Sequence, residues 1–229
     1  MLNAPAETQA AHAIGNVELL ESSPILDGSP PAAARQLLHV GCGPARQERL
    51  PACFQTAQWQ EIRLDIDPRV QPHIIGSITD LHAVASASVD AIWSSHNLEH
   101  LNAYEVPHAL AEFKRVLKPD GFALISVPDL RAIARHIVLD QLSQPLYQSA
   151  SGPISALDVV FGHQASLASG NHYMAHRTGF TASTLGQCLL DAGFDEVRVH
   201  QGQRWDLWAI ATLPDTAADL FDELAGVML

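Results

Sequence analysis

Leu37-Leu38-His39-Val40-Gly41-Cys42-Gly43-Pro44 decides how the rest of the chain is read. Leu37 to Val40 has the apolar character of a short buried strand, and Gly41-Cys42-Gly43 makes a tight turn directly after it. A strand running through a glycine turn toward a helix lets backbone approach a ligand closely, because glycine places no Cβ in the way. About twenty residues on, Arg63-Leu64-Asp65-Ile66-Asp67-Pro68 is a second apolar strand that ends in a carboxylate, where α/β nucleotide-binding units hold a ribose hydroxyl pair. A nucleoside-bearing cofactor is the first expectation. A dinucleotide is disfavoured, because Arg46 stands where the third glycine of G-x-G-x-x-G belongs, and no triphosphate-binding G-x-x-x-x-G-K-[ST] accompanies it.

Working outward, the chain alternates strands and helices. The sequence predicts strands at Glu61 to Asp65, Pro72 to Ile75, Ser88 to Ser94 and Phe122 to Val127. A helix is predicted from Asn102 to Lys118, with Val106, Leu110, Phe113 and Leu117 inward and Glu112, Lys114 and Arg115 toward water. Pro119-Asp120-Gly121 is the expected stop. Further helices are expected over Leu130 to Leu142 and Thr181 to Ala192, and Glu196 to His200 with Trp205 to Thr212 as a closing antiparallel pair. Pro44 to Gln55 is weakly periodic, which implies a short or irregular first helix. Runs that are apolar on both strand faces mean a mostly parallel sheet covered by helices.

The chain of 229 residues suits one domain: a leading arm over 1–34, rich in Ala, Pro, Ser and Gly with a short helix near Val17 to Ser22, then a single domain over 35–229. Its pattern loosens over about 143–179, where a substrate lid is expected. A net charge of −12 argues against nucleic acid or an anionic membrane as partner. No apolar run reaches the length of about eighteen residues needed to span a bilayer. The leading residues lack a basic-then-apolar signal, and Cys42, Cys53 and Cys188 are scattered without metal or disulfide spacing, so a reducing cytoplasm is expected. Leu and Val in Ala217 to Leu229 would serve a homodimer contact or cover the sheet.

The succession HVGCGP, RLDIDP, GSITDL, VDAIWSSHNLEHL, RVLKPDGFALISVPD and GFTASTL…DAGF resembles class I S-adenosylmethionine-dependent methyltransferases, nearest to a small bacterial group of type 11. The resemblance runs from about Gln36 to Thr212. It implies a Rossmann-like, doubly wound seven-stranded sheet in the order 3-2-1-4-5-7-6 with helices on both faces. It further implies S-adenosyl-L-methionine as cofactor, S-adenosyl-L-homocysteine as product and a small-molecule acceptor.

By the same resemblance Gly41 and Gly43 line the methionine end of the cofactor, and Asp65 takes the ribose hydroxyls. Asp67 is an alternative that Ile66 should turn to the other side. Ser77 stands where relatives often carry an acid for adenine, with the Ile78 backbone or Asp80 as substitutes. Ser95 and His96 fall near the reactive methyl. A cap or turn is the competing reading for Asp65, Ser77 and Asp80. Methyl transfer from a sulfonium needs alignment and, for a neutral acceptor, a proton acceptor. His96 is the first candidate for that base and His176 the second, within a group that also holds His163, Tyr173, Arg177 and Asp129.

Two rival classes remain open. One is a cofactor-binding fold without transferase activity that acts as a partner subunit. The other is a zinc peptidase, because His96-Asn97-Leu98-Glu99-His100 satisfies H-x-x-E-H. Against the latter, the motif starts where a strand ends rather than inside a helix, and no residue is assigned to a metal.

Overall fold

The computed structural model describes residues 34–45 and 50–226. The leading arm over 1–34, with its expected short helix, therefore lies outside the described residues apart from Ala34. Nine strands occur in order: β1 (Arg35–Val40), β2 (Trp59–Asp65), β3 (Ile74–Ile75), β4 (Val89–Ser95), β5 (Leu117–Pro128), β6 (Pro145–Ser149), β7 (Gly152–Ser155), β8 (Glu196–Gln201) and β9 (Asp206–Thr212). The helices are α1 (Val106–Val116), α2 (Leu130–Val138), α3 (Ala156–Phe161), α4 (Gln164–Ala168), α5 (Ala182–Asp191) and α6 (Leu220–Ala225). None of these helices is long and apolar enough to cross a membrane.

The main sheet has seven strands in the order β3-β2-β1-β4-β5-β9-β8. With the separate β6-β7 hairpin set aside, this is the expected 3-2-1-4-5-7-6. Strands β1 to β5 run parallel, and β9 inserts antiparallel between β5 and β8. Alternation along the central strands sends side chains to two cores. Leu38, Val40, Ile92, Ala123 and Ile125 meet α1 and α5 on one face. Leu37, Ala91, Trp93, Phe122 and Leu124 meet Phe54 and α6 on the other. This two-sided burial is why the strands read as continuous apolar runs. Leu220, Phe221 and Leu224 are buried on that second face, so this part of the C-terminal segment covers the sheet.

Several boundaries move for physical reasons. Helix α1 starts at Val106 rather than Asn102, because Asn102 closes a turn with Glu105 and Pro107 occupies the first turn, where its missing N–H costs nothing. Strand β5 begins at Leu117, but its register against β4 jumps from Val89↔Leu117 to Ala91↔Phe122. Lys118 to Gly121, which include the expected stop Pro119-Asp120-Gly121, bulge out of the ladder there. Helix α2 ends at Val138, and the only regular element between Ala45 and β2 among the described residues is a 3-10 turn at Ala52–Phe54.

Glu112 and Arg115 do not simply face water. Glu112 accepts from the Leu81 amide at 2.7 Å, while Arg115 donates to the Leu81 and Val84 carbonyls at 2.9 and 3.1 Å. They satisfy backbone groups of a β3–β4 crossover that has no helix to do so. The loosely patterned 143–179 segment is also more ordered than its sequence suggests. It contains the hairpin, α3 and α4, and packs Ile154, Ala156 and Val159 on Ile133 of α2.

Candidate functional site

The carboxyl ends of β1, β2, β4 and β5 form one edge, and most of the expected site residues stand on it. Gly41 and Gly43 have φ of +63° and +59°, the left-handed region that suits glycine. A Cβ on Gly41 would lie 2.8 Å from the Asn97 side chain, so bare backbone is required there. The turn is tied to β2 by the Cys42 amide, which donates to the Leu64 carbonyl at 3.1 Å. Burial pushes the Cys42 thiol pKa up, which removes it as a nucleophile.

Asp65 is buried and accepts from Gly43 N at 2.8 Å on Oδ2 and from Asp67 N at 2.9 Å on Oδ1. The carboxylate thus caps the turn, and each oxygen keeps a lone pair beyond these contacts. Arg63, which sequence reasoning did not single out, straps the loop by donating to the Gly43, Val70 and Gln71 carbonyls. Asp67 is engaged elsewhere: it caps the 3-10 turn at Pro68–Val70 and pairs with Arg69 at 2.7 Å. Ile66 between them is 47% exposed, an apolar surface beside the Asp65 carboxylate that sequence reasoning also passed over.

In the third block the Gly76 amide donates to the Asp65 carbonyl at 3.0 Å. Ser77 Oγ closes on Thr79, accepting from its amide at 3.2 Å and meeting its hydroxyl at 2.8 Å. Ile78 is buried and packs in the core, which leaves no part of its side chain for a ligand. Asp80 is exposed and pairs with His82 at 3.2 Å. Both side chains therefore make the local turn contacts named as their competing reading.

At the end of β4, Ser95 Oγ accepts from Ser126 Oγ at 3.1 Å, and the His96 amide donates to the Ser126 carbonyl at 2.8 Å. His96 has φ +48°, which breaks the strand and turns its ring outward while Leu98 enters the core. Leu98–His100 is a single 3-10 turn, so His96 and His100 are not paired across a helical turn as H-x-x-E-H zinc chemistry requires. Asn97 lies against Gly41, and its Nδ2 is buried without a hydrogen-bond partner.

His176 arrives from the 143–179 insertion. Arg177 N and Thr178 N donate to the Glu99 carbonyl at 2.8 and 3.2 Å and stitch this stretch to the end of β4. The His100 and His176 rings meet edge-on with centroids 4.9 Å apart. Burial holds the His176 pKa below the ordinary histidine value despite the Glu99 charge. For His96, the surrounding protein lowers the pKa, but the neighbouring Glu99 carboxylate, with Oε1 3.3 Å from Nδ1, outweighs it and the net shift is upward. The other members of the expected group have separate partners: Asp129 caps α2 and accepts from Gln201, and His163 bonds Ser166. Arg177 and Tyr173 are exposed. A cleft of about 590 Å³ beside Asp129 is lined by Arg131, Arg135, Thr181, Ser183 and Gln201, none of them residues of the glycine turn.

Residues 38–125 match a family model described as a methyltransferase domain. Among solved structures, the chain resembles an S-adenosylmethionine-dependent methyltransferase from Archaeoglobus fulgidus at 16% identity, TM-score 0.51, covering 79% of this chain and 86% of the other. A second, from Mesorhizobium loti, matches at 16% identity and TM-score 0.54, over 80% and 93%. A third is the Burkholderia thailandensis 1,6-didemethyltoxoflavin-N1-methyltransferase bound to 1,6-didemethyltoxoflavin and S-adenosylhomocysteine, at 19% identity and TM-score 0.50, over 80% and 72%. No curated protein matches the chain. At these identities the structural likeness establishes the fold.

Proposed function

We infer that this chain, a class I S-adenosylmethionine-dependent methyltransferase, passes its methyl group to a small-molecule or metabolite acceptor. The observation that carries the reading is the Gly41–Gly43 turn held to Asp65 through Gly43 N at 2.8 Å. That contact sets bare backbone, a ribose-type carboxylate and the orphaned Asn97 Nδ2 along one edge. S-adenosylmethionine supplies an activated methyl on a sulfonium; its zwitterionic end and ribose need the groups that Gly41, Gly43, Asn97 and Asp65 offer. Ser95 and the Ile78 backbone complete the proposed cofactor contacts, and exposed Ile66 offers an apolar face for adenine. Ser77 and Asp80, which are engaged locally, support adenine less well than the Ile78 backbone does.

The acceptor is proposed as small because a net charge of −12 opposes an anionic polymer. His96, whose exposed ring stands at the end of β4, is the proposed proton acceptor, with His176 as the second candidate. The chain is proposed as one domain over 35–229, with 143–179 folded against α2 to border the acceptor side.

Thermal unfolding with and without S-adenosylhomocysteine tests this on wild type and Asp65→Ala. Ligand at a hundred times its dissociation constant should stabilise the fold by about 2.7 kcal/mol. A clear upward shift that Asp65→Ala weakens supports cofactor and contact together. No shift at saturating ligand would overturn the assigned cofactor site.

A further inference from the structure

Glu99 has no explanation in the cofactor site. Its side chain is fully buried, and neither carboxylate oxygen has a hydrogen-bond partner. The His96 ring nitrogen Nδ1 lies 3.3 Å from Oε1 but is out of line for a hydrogen bond. A buried, unsatisfied carboxylate is costly unless a cation compensates it.

His100 and His176 supply the complement. Nδ1 of His100 donates to the Ala175 carbonyl at 3.1 Å, and Nδ1 of His176 to the Val159 carbonyl at 2.8 Å. A carbonyl only accepts, so both rings carry a proton on Nδ1, and in the neutral form each has its lone pair on Nε2. This backbone-anchored tautomer is how metal-ligating histidines are oriented. One ligand atom from each of Glu99, His100 and His176 lies within 4.8 Å of the others. Ligands about 2.1 Å from a common centre sit roughly 3–4 Å apart, so modest rotamer adjustment closes the set.

We propose that Glu99, His100 and His176 bind one divalent first-row cation, whose open positions hold a hydroxyl oxygen of the acceptor. Two imidazoles and a carboxylate suit zinc, cobalt or manganese better than magnesium or calcium, which favour all-oxygen sets. The site lies one turn of chain from Asn97, which touches the glycine turn, so a bound acceptor is brought to the methyl side of the cofactor. The choice of acceptor rests on the methyl-transfer reading, whereas the metal site stands without it. A cation acidifies a bound hydroxyl. Its proton then leaves to solvent in place of the transfer to His96 that a site without a cation would need, and an oxygen lone pair forms the new O–C bond. The C–S bond breaks with its electron pair kept on sulfur. An amine would spend its single lone pair on the metal, so oxygen acceptors are the class that fits. His176 then acts as a ligand rather than as a base, and the expectation of a metal-free site gives way.

The test is cobalt(II) titration of chelator-stripped protein, followed by visible d–d absorption, on wild type, Glu99→Gln and His176→Ala. S-adenosylhomocysteine-induced thermal shifts are measured in parallel. Saturation at one cobalt per chain, with affinity at least tenfold weaker in both variants, is expected. Glu99→Gln is isosteric and removes a buried charge, so its metal-free form should melt no lower than wild type. Absence of the absorption, or equal affinity in all three proteins, would overturn the site. Cobalt binding without a homocysteine-ligand shift would instead remove the methyl-transfer reading and leave the metal. In an acceptor screen, turnover of hydroxyl compounds should stop on chelation. Amine methylation that survives chelation would overturn the acceptor assignment.

Discussion

A side chain at position 41 would meet Asn97 at 2.8 Å and would hold a backbone φ of +63° that only glycine adopts cheaply. Gly41→Ala should therefore both strain the turn and push Asn97 from the cofactor edge. The left-handed conformation alone costs roughly 1–2 kcal/mol. S-adenosylhomocysteine affinity, read by calorimetry, should fall at least tenfold while the protein remains folded; unchanged affinity would show that the turn does not contact the ligand. At this scale the joining of the glycine turn to Asp65 was largely legible. The glycine turn and Asp65 are local signals, each fixed by where a strand ends. Glu99 and His100 were visible only as a peptidase-like string, because their partner His176 comes from a distant segment that carries no periodicity. Asn97, Arg63 and Ile66 carry no motif at all, and their roles arise from approach across strands.

Between residue and molecule, polar side chains replace missing elements. The β3–β4 crossover has no helix, and the Glu112–Arg115 pair on α1 holds its backbone instead. Hydrogen bonding from Arg115 and the Leu81 amide outweighs burial and lowers the Glu112 pKa. The unfolded carboxyl titrates near about 4.3. A folded pKa below that value means the stabilisation is present above the unfolded pKa and is lost as pH falls through the folded one. Glu112→Gln should cost about 1–2 kcal/mol at pH 7, measured by urea unfolding, with the difference from wild type shrinking as pH drops below 4. A difference that is constant with pH would mean that the charge plays no part. The helical spacing on α1 placed Glu112 and Arg115 outside the core, as it should, but periodicity cannot say that another segment's backbone waits there.

The insertion over 143–179 obeys similar logic. Gly162 has φ +96°, and a Cβ there would lie 1.9 Å from the Met174 carbonyl oxygen. No side-chain adjustment relieves a clash with backbone. Gly162→Ala should destabilise the protein by about 2 kcal/mol or more in chemical unfolding. It should also weaken cobalt binding, because the stretch it displaces carries His176. Retained stability would show that the α3–α4 region is not packed on the Met174 turn. The sequence read this segment as loose because its helices and hairpin are too short for periodicity, and their small apolar cluster is completed by Ile133 of α2.

For the molecule as a whole, the sheet needs a cover on both faces, and the two are built differently. Helices α1 and α5 protect one face and were legible from their apolar spacing. The other relies, among the described residues, on Phe54 and the short α6, which has too few turns to announce itself by periodicity. Phe221 belongs to that cover: it is 5% exposed, shares a buried cluster with Trp93, Phe122 and Leu220, and carries the Arg198 guanidinium 3.9 Å from its ring centroid. Phe221→Ala removes buried ring surface and the cation's seat together, at a cost of about 3 kcal/mol. For a domain of this size that is a fall in Tm of roughly 6–12 °C. Calorimetry of Phe221→Ala, with S-adenosylhomocysteine present and absent, would show the lowered Tm together with a ligand-induced rise like that of wild type, because the cover and the cofactor edge are separate. A loss below about 1 kcal/mol would mean that α6 does not seal this face. A lost ligand shift would instead mean that the second core supports the glycine turn through β1, which feeds it.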